Sequence, residues 1–593
     1  MADETIVLPD WYEGNRVQCH SEHPLELLLR MTAEAHTRAC RGLGANVLCR
    51  IFLNRDEGAW WPSKVGEVNP LIGDRDVAAE IVKVVHGDGM KVIAYFRHMS
   101  DNAMQTQHPD WVCKHPNGKP CLEPRGKKKT IYVICMNSPY RDYIRTRVVE
   151  LAERGVDGIY FDCWHMPDIC VCEYCKKAFR SETGRDMDPT AAVGSPGYME
   201  AVAFVNRTMV RTFQDWRAAV GERHPNVLFV IKSSRYPMYY SPHISADLPA
   251  ISPVSGTEYH KPFGDRTTAM KDEADFAEPA WDDQLALGWS VVRDCSAGRP
   301  PHMWIPFIRT ERESLSSAAA AVTYGCVAAM NVPIRDPQED GAKWKPVFAS
   351  TFAMGDKVSP YLKHARPIPW AALHISERSR NARLADMKQM WREVFSPALG
   401  VCQALKEAHV PWVTVSDQAL AEGLPTDTKV LILPWSDELT EKERTTVATF
   451  EKAGGVVVRL DPKAGWNTTA KKAELMKAMS ETIGQKAPAP PIRITGPKAM
   501  HAVCYRRPDG KRLAICLTNT WGWFRPTREP DPKANASAPP PPCTSVTVTF
   551  DKSLGAPRRV VEAIAGADLK PENDGMSFRV PDFQINACVV AEF

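Results

Sequence analysis

The chain has 593 residues, 44% of them hydrophobic and 24% charged, with a formal net charge of +3. That balance excludes a disordered or collagen-like chain and gives no basic stripe for nucleic acid, and the length exceeds what one hydrophobic core serves. No apolar run reaches the roughly 20 residues of a membrane span.

The first residues, MADETIVLPDWYEGN, carry neither the basic nor the apolar region of a secretory leader. This reads as cytoplasmic if the N-terminus is native, and as periplasmic or secreted if a leader has been removed. The 17 cysteines are odd in number and scattered. In a long chain that pattern fits buried thiols plus a metal site better than a disulfide framework.

Residues 1–365 alternate strand-like and helix-like segments. The predicted strands are 45–53, 91–99, 130–136, 156–162, 226–232, 248–254, 301–307 and 325–333. Most are short apolar runs without clean alternation, as expected of strands buried on both faces. Pro249 and Pro253 make the sixth the weakest strand. Helical periodicity fills the gaps over 75–85, 138–155, 198–220 and 314–325. Eight parallel strands with intervening helices predict an α/β fold, a (β/α)8 TIM barrel. Over 366–485 the pattern restarts as a doubly wound, flavodoxin-like α/β domain, with strands at 370–376, 411–416, 429–434 and 454–460. It holds no GxGxxG and so no nucleotide fingerprint. After the stiff linker APAPPI, alternating strands over 486–593 predict a small C-terminal β-sandwich. Its inner loop EPDPKANASAPPPP is too polar and proline-rich to pack a core, and mobility is expected there.

In such a barrel the active site lies at the C-terminal ends of the strands. The residues expected there are Asp56, Trp60, Arg97, His98, Asn137, Asp162, Trp164, His165, Lys232, Glu258, Trp304, Arg309, Glu311 and Asn331. Acids, aromatics and amides in one mouth suit a sugar, with rings against its apolar faces and charged groups on its hydroxyls. Glycoside hydrolysis needs two carboxylates, about 5–5.5 Å apart in retaining enzymes and about 6.5–9.5 Å in inverting ones. Asp162, closing the strand GIYFD, suits a nucleophile. Glu258, beside an aromatic in SGTEYH, suits the acid/base. Glu311, Glu313, Asp282 and Asp283 are rival acids that read better as charges at helix starts. Trp60, Arg97, His98, Asn137, Trp164, His165, Lys232, Trp304 and Arg309 are the substrate-binding candidates. Trp61 could serve as a second stacking platform beside Trp60, though core filling is the commoner fate of tryptophan. His20 and His23 reach the site only if the N-terminal segment folds over the barrel.

Cys170, Cys172 and Cys175 form C-x-C-x2-C on one loop, a crowding that tetrahedral Zn2+ explains. Cys135 is the first choice for a fourth ligand, with Cys163 and Cys113 as alternatives. A site of four thiolates has no open position and would be structural.

The runs ICMNSPYRDYI, GVDGIYFDC and CVCEYCKKAF resemble a hypothetical glycosyl hydrolase group close to glycoside hydrolase family 29, the group from which the family 151 α-L-fucosidases come. Residues 366–480 resemble the trimerisation domain of β-galactosidases. The resemblance implies a retaining, exo-acting α-L-fucosidase with Asp162 as nucleophile and, by a looser match, Glu258 as acid/base. The C-x-C-x2-C with a cysteine just before N-S-P is similar to the zinc cluster of family 42 β-galactosidases and maps onto Cys135, Cys170, Cys172 and Cys175. Family 42 carries an Asn-Glu pair at the end of strand 4, whereas this strand ends Phe161-Asp162. The alternatives are a family 42 type β-galactosidase and a non-catalytic carbohydrate-binding barrel. The partners implied are an oligosaccharide or polysaccharide substrate and further copies of the chain, as a trimer or dimer. Nucleic acid, membrane and organic cofactors are not expected.

Overall fold

The computed structural model describes residues 6–593 except 22–24, 55–57, 100, 126–128, 163, 165, 168, 233–244, 260–269, 271–274, 335–341, 524–538 and 573. Asp56, His23, Cys163, His165 and most of the loop 529–542 therefore lie outside the described residues. No helix among those described is long and apolar enough to cross a membrane.

The barrel strands are β1 (Val17–Ser21), β2 (Val47–Asn54), β3 (Lys91–Arg97), β4 (Gly158–Asp162), β5 (Leu228–Lys232), β6 (Val254–Glu258), β7 (His302–Ile305) and β8 (Val327–Asn331). Each pairs in parallel with the next, and β1 pairs with both β8 and β2, which closes the ring. The main outer helices are α1 (Ala33–Gly42), α2 (Val77–Gly87), α3 (Tyr140–Glu153), α4 (Pro196–Gly221), α5 (Trp281–Cys295), α6 (Glu311–Thr323) and α7 (Lys345–Leu362). Their starts are locally encoded. Asp76 caps α2, Ser195 followed by a proline caps α4, and Thr310 with Glu313 forms a capping box on α6.

Three strand expectations are corrected. Segment 130–136 is not a barrel strand: Lys129–Tyr132 pairs antiparallel with Leu122–Arg125 in a hairpin between β3 and α3. A short apolar run does not by itself reveal which partner it will take. The strand that replaces it is β1, VQCHS, buried throughout: His20, and Gln18 two residues before it, face the barrel interior, while Ser21 bonds His36 of α1 outside. The predicted sixth strand is displaced. Asp247–Ile251 is a short helix with Pro249 in its first turn, where a missing N–H costs nothing, and the strand begins only at Val254. The first two errors cancel in the count, so Asp162 still closes the fourth strand.

After the barrel, four parallel strands, β9 (Ala371–Ile375), β10 (Trp412–Ser416), β11 (Val430–Leu433) and β12 (Val456–Arg459), run in the order β10-β9-β11-β12. This is the doubly wound sheet expected from the sequence. The C-terminal part forms antiparallel sheets of six and three strands. Ile492, Val548 and Phe578 of the smaller sheet share one core with Ile515, Leu517 and Val589 of the larger.

The three parts meet at the start of α5. Lys406 of the second domain bonds both Asp282, at 2.6 Å, and Asp283. His501 of the C-terminal sheet reaches Asp282 at 3.1 Å and takes the Tyr324 hydroxyl at 2.7 Å. Burial, then the nearby Lys406, lowers His501 to about 3, so its imidazole is neutral at neutral pH. The two aspartates at a helix start are thus spent on domain docking. Removing Lys406 leaves the buried Asp283 carboxylate without its ammonium partner, while the part-exposed Asp282 keeps His501. Lys406→Met is expected to cost about 3–5 kcal/mol in urea unfolding at neutral pH, and an unchanged midpoint would show that the junction contributes nothing.

Candidate active site

Side chains alternate across a strand, and this sorts the mouth. Asp162 and Tyr160 face inward on β4, as do Tyr95 and Arg97 on β3. Tyr95 and Tyr160 stack with centroids 5.4 Å apart. Above that pair, Asp162 is 2% exposed. It accepts the Tyr95 hydroxyl, lies 3.1 Å from Arg97 Nε and lies 2.9 Å from Lys232 Nζ. Lys232 ends β5 and also bonds Glu258, which ends β6. One ammonium therefore holds an oxygen of each acid.

Gly256 makes this approach possible. A Cβ there would sit 3.1 Å from both the Tyr160 ring and Lys232 Cα, and such a side chain would push the two strands' inner faces apart. Burial acts to raise the Asp162 pKa, but Lys232, Arg97 and the Tyr95 hydroxyl outweigh it and hold the carboxyl well below the usual carboxylate range. Two acceptors of one ammonium lie within about 6 Å of each other.

The other sequence candidates divide by the same alternation. Arg97 and Lys232 converge on Asp162. Trp304 faces inward, its ring 6.2 Å from His20 and 6.3 Å from Phe307. Its buried indole N–H has no hydrogen-bond partner among the described residues. His98 and Trp164 lie on the opposite face. Their rings are 4.8 Å apart and pack on Phe161 and on Trp216 of α4, because Phe161 is one residue out of phase with Asp162. Trp60 is fully buried. Trp61 donates to Glu150 of α3, outside the barrel ring. Arg309 gives its backbone N–H to Glu313, and Glu313 completes the α6 capping box. Asn331 closes β8 opposite His20.

Asn137 belongs to the cysteine cluster. Its side-chain amide donates to Cys175 Sγ at 3.3 Å and its backbone N–H to Cys135 Sγ at 3.4 Å. The sulfurs of Cys135, Cys170, Cys172 and Cys175 all lie within 4.8 Å of one another and are buried. Burial drives Cys135 upward, while hydrogen bonds from Cys113 and Cys135 pull Cys170 down. Four converging sulfurs fit a tetrahedral thiolate site. Cys172 and Cys175 open the helix Glu173–Thr183, directly behind the loop that leaves Asp162.

Sequence reasoning missed Tyr95, Tyr160, His302 and Phe307. Tyr95 was readable, since it sits two residues before Arg97 on one strand. Phe307, exposed at the mouth with a φ of 61°, left no local signal. His20 lines the barrel as part of β1, not as a flap over it.

The family described as hypothetical glycosyl hydrolase 6 matches residues 32–163, from α1 to just past Asp162. No curated protein sequence matches the chain. Among solved structures, α-L-fucosidase isoenzyme 2 from Paenibacillus thiaminolyticus is similar, with a TM-score of 0.72 at 14% identity over 98% of this chain and 100% of that one. A β-galactosidase from Bacillus circulans sp. alkalophilus has a TM-score of 0.68 at 12% identity, over 97% and 99% of the two chains. A catalytic mutant of Gan42B, a GH42 β-galactosidase from G. stearothermophilus, has a TM-score of 0.67 at 10% identity, over 98% of each. The chain has the fold of the TIM-barrel glycosidases, matched from end to end.

Proposed function

We propose that the chain is a retaining, exo-acting glycoside hydrolase with Asp162 as nucleophile and Glu258 as acid/base, and that its substrate is an α-L-fucoside. The observation that carries this reading is the single ammonium, Lys232, shared by two carboxylates at the ends of β4 and β6. The similarity to a fucosidase of the same three-part build supports the sugar. So does the strand end Phe161-Asp162, which lacks the Asn-Glu pair of family 42.

In the first step an Asp162 oxygen attacks the anomeric carbon. Glu258 gives its proton to the glycosidic oxygen as that bond breaks, which leaves a covalent glycosyl-aspartate. In the second, the Glu258 carboxylate takes a proton from water as the water attacks the same carbon and frees Asp162. Arg97, Lys232 and Tyr95 keep Asp162 ionised for attack. Lys232 also bonds Glu258, which acts as the carboxylate in the second step. Trp304 supplies a ring face and an unmatched N–H donor at the sugar's side.

The cysteine cluster favours a second reading of the substrate, a β-galactoside, since its pattern is similar to that of family 42. We further propose that the cluster holds structural Zn2+ and that the doubly wound domain makes the contacts of a homotrimer or homodimer.

Four outcomes test this. On a panel of nitrophenyl glycosides, release from the α-L-fucoside is expected, and Asp162→Gly is expected to lose about 10^4-fold or more in turnover with partial rescue by azide. Galactoside-only hydrolysis would overturn the sugar, and sugar affinity without any hydrolysis would leave the non-catalytic barrel. Lys232→Met removes a cation that depresses Asp162, so the acid limb of kcat/KM is expected to move to higher pH; a limb that stays put would free Asp162 from that role. Cys170→Ser is expected to lose one zinc per chain by elemental analysis and to lower Tm. Light scattering at micromolar concentration is expected to give two or three chains per particle, and a monomer contradicts the assembly.

A further inference from the structure

Below the carboxylates, the barrel interior holds a second group of metal-ligand side chains. His20 comes from β1, Cys49 from β2 and His302 from β7. They are 1%, 0% and 0% exposed. Their ligand atoms, two ring nitrogens and one sulfur, lie within 4.8 Å of one another. The His20 and His302 rings are 5.8 Å apart by centroid. Tyr160 closes one side, 5.9 Å from His20 and 5.0 Å from His302.

The second observation is an unmet bonding need. Neither ring nitrogen of His302 has a hydrogen-bond partner among the described residues. A neutral imidazole has one donor and one acceptor, and burying both unpaired is among the costlier things a core does. Burial, with His20 close by, holds His302 well below its ordinary pKa and so in the neutral form. A neutral imidazole is the form that ligates a metal. Cys49 is buried and in no disulfide.

We infer that His20, Cys49 and His302 form a second metal site, inside the barrel and separate from the four-cysteine cluster, that takes a thiophilic transition-metal ion such as Zn2+. Two imidazole nitrogens and one thiolate suit zinc and disfavour the hard, oxygen-seeking Mg2+ and Ca2+. Three protein ligands leave a fourth position, as in zinc sites that also hold water or a small molecule. On binding, the Cys49 thiol gives its proton to solvent and the sulfur takes the ion. The ion and one thiolate together carry a single net positive charge. Tyr95 connects this floor to the mouth: its ring lies 5.7 Å from that of His20 and its hydroxyl bonds Asp162.

The test uses the full chain saturated with Zn2+ alone. Anomalous diffraction at the zinc edge is expected to show a peak bounded by His20, Cys49 and His302, apart from any peak at Cys135, Cys170, Cys172 and Cys175. In solution, Cys49→Ala and His302→Ala are each expected to bind one zinc fewer than the wild type. Cys170→Ser is expected to leave the barrel peak in place. An unaltered, zinc-saturated chain with no anomalous density between these three residues overturns the inference, whether or not the variants fold. So does a zinc content that both folded variants leave unchanged. None of these readouts depends on turnover, so failure of the hydrolase reading and failure of this site are told apart.

Discussion

One ammonium, Lys232, organises the mouth of this barrel. Asp162, Lys232 and Glu258 end three successive strands, and parallel pairing brings those ends side by side. Two carboxylates this close, with nothing between them, would repel, and one would take up a proton. Lys232 removes that conflict by holding an oxygen of each. Arg97 and the Tyr95 hydroxyl, from the next strand over, complete the shell on Asp162. Four consecutive strands therefore supply one charge cluster, and its geometry can be no looser than the strand register.

The rest of the molecule keeps that register. Inside, the stacked Tyr95 and Tyr160 fill the layer beneath Asp162, in the space that Gly256 leaves free. Outside, His98, Phe161, Trp164 and Trp216 lock β4 against α4. Behind the β4 loop, the four cysteines tie the long excursion after β3 to the helix Glu173–Thr183. On the far side of the ring, Lys406 and His501 dock the second domain and the C-terminal sheets onto the first turn of α5. The domain junction and the mouth differ in how completely their polar groups are paired. Asp282 at the junction has its partners within the protein, whereas Trp304 near the mouth keeps an unmatched donor.

Much of this was legible along the chain. The four strands of the doubly wound domain fall where apolar runs predict them, because a strand buried on both faces must be apolar throughout. Asp162, Glu258, Lys232 and Arg97 were readable as strand-end residues, and the C-x-C-x2-C spacing singled out its own cluster. The failures have a common cause. VQCHS looks like a surface segment, yet it is a barrel strand: Gln18 and His20 face the interior and Ser21 meets His36 of an outer helix. Segment 130–136 looks like a barrel strand, yet it pairs in a hairpin. His98 and Trp164 sit within one residue of the right positions and face away from the mouth.

The amino-acid sequence alone determined the kinds of element, the order of the three parts and the residues that could carry charge at the strand ends, because periodicity, caps and composition act over a few residues at a time. Tertiary structure decided which strand closes the ring, which face each side chain takes, and that Lys232 joins Asp162 to Glu258 while His20, Cys49 and His302 converge below them. Those outcomes depend on pairing between segments far apart in the chain, and a one-residue change of phase reverses every side chain on a strand.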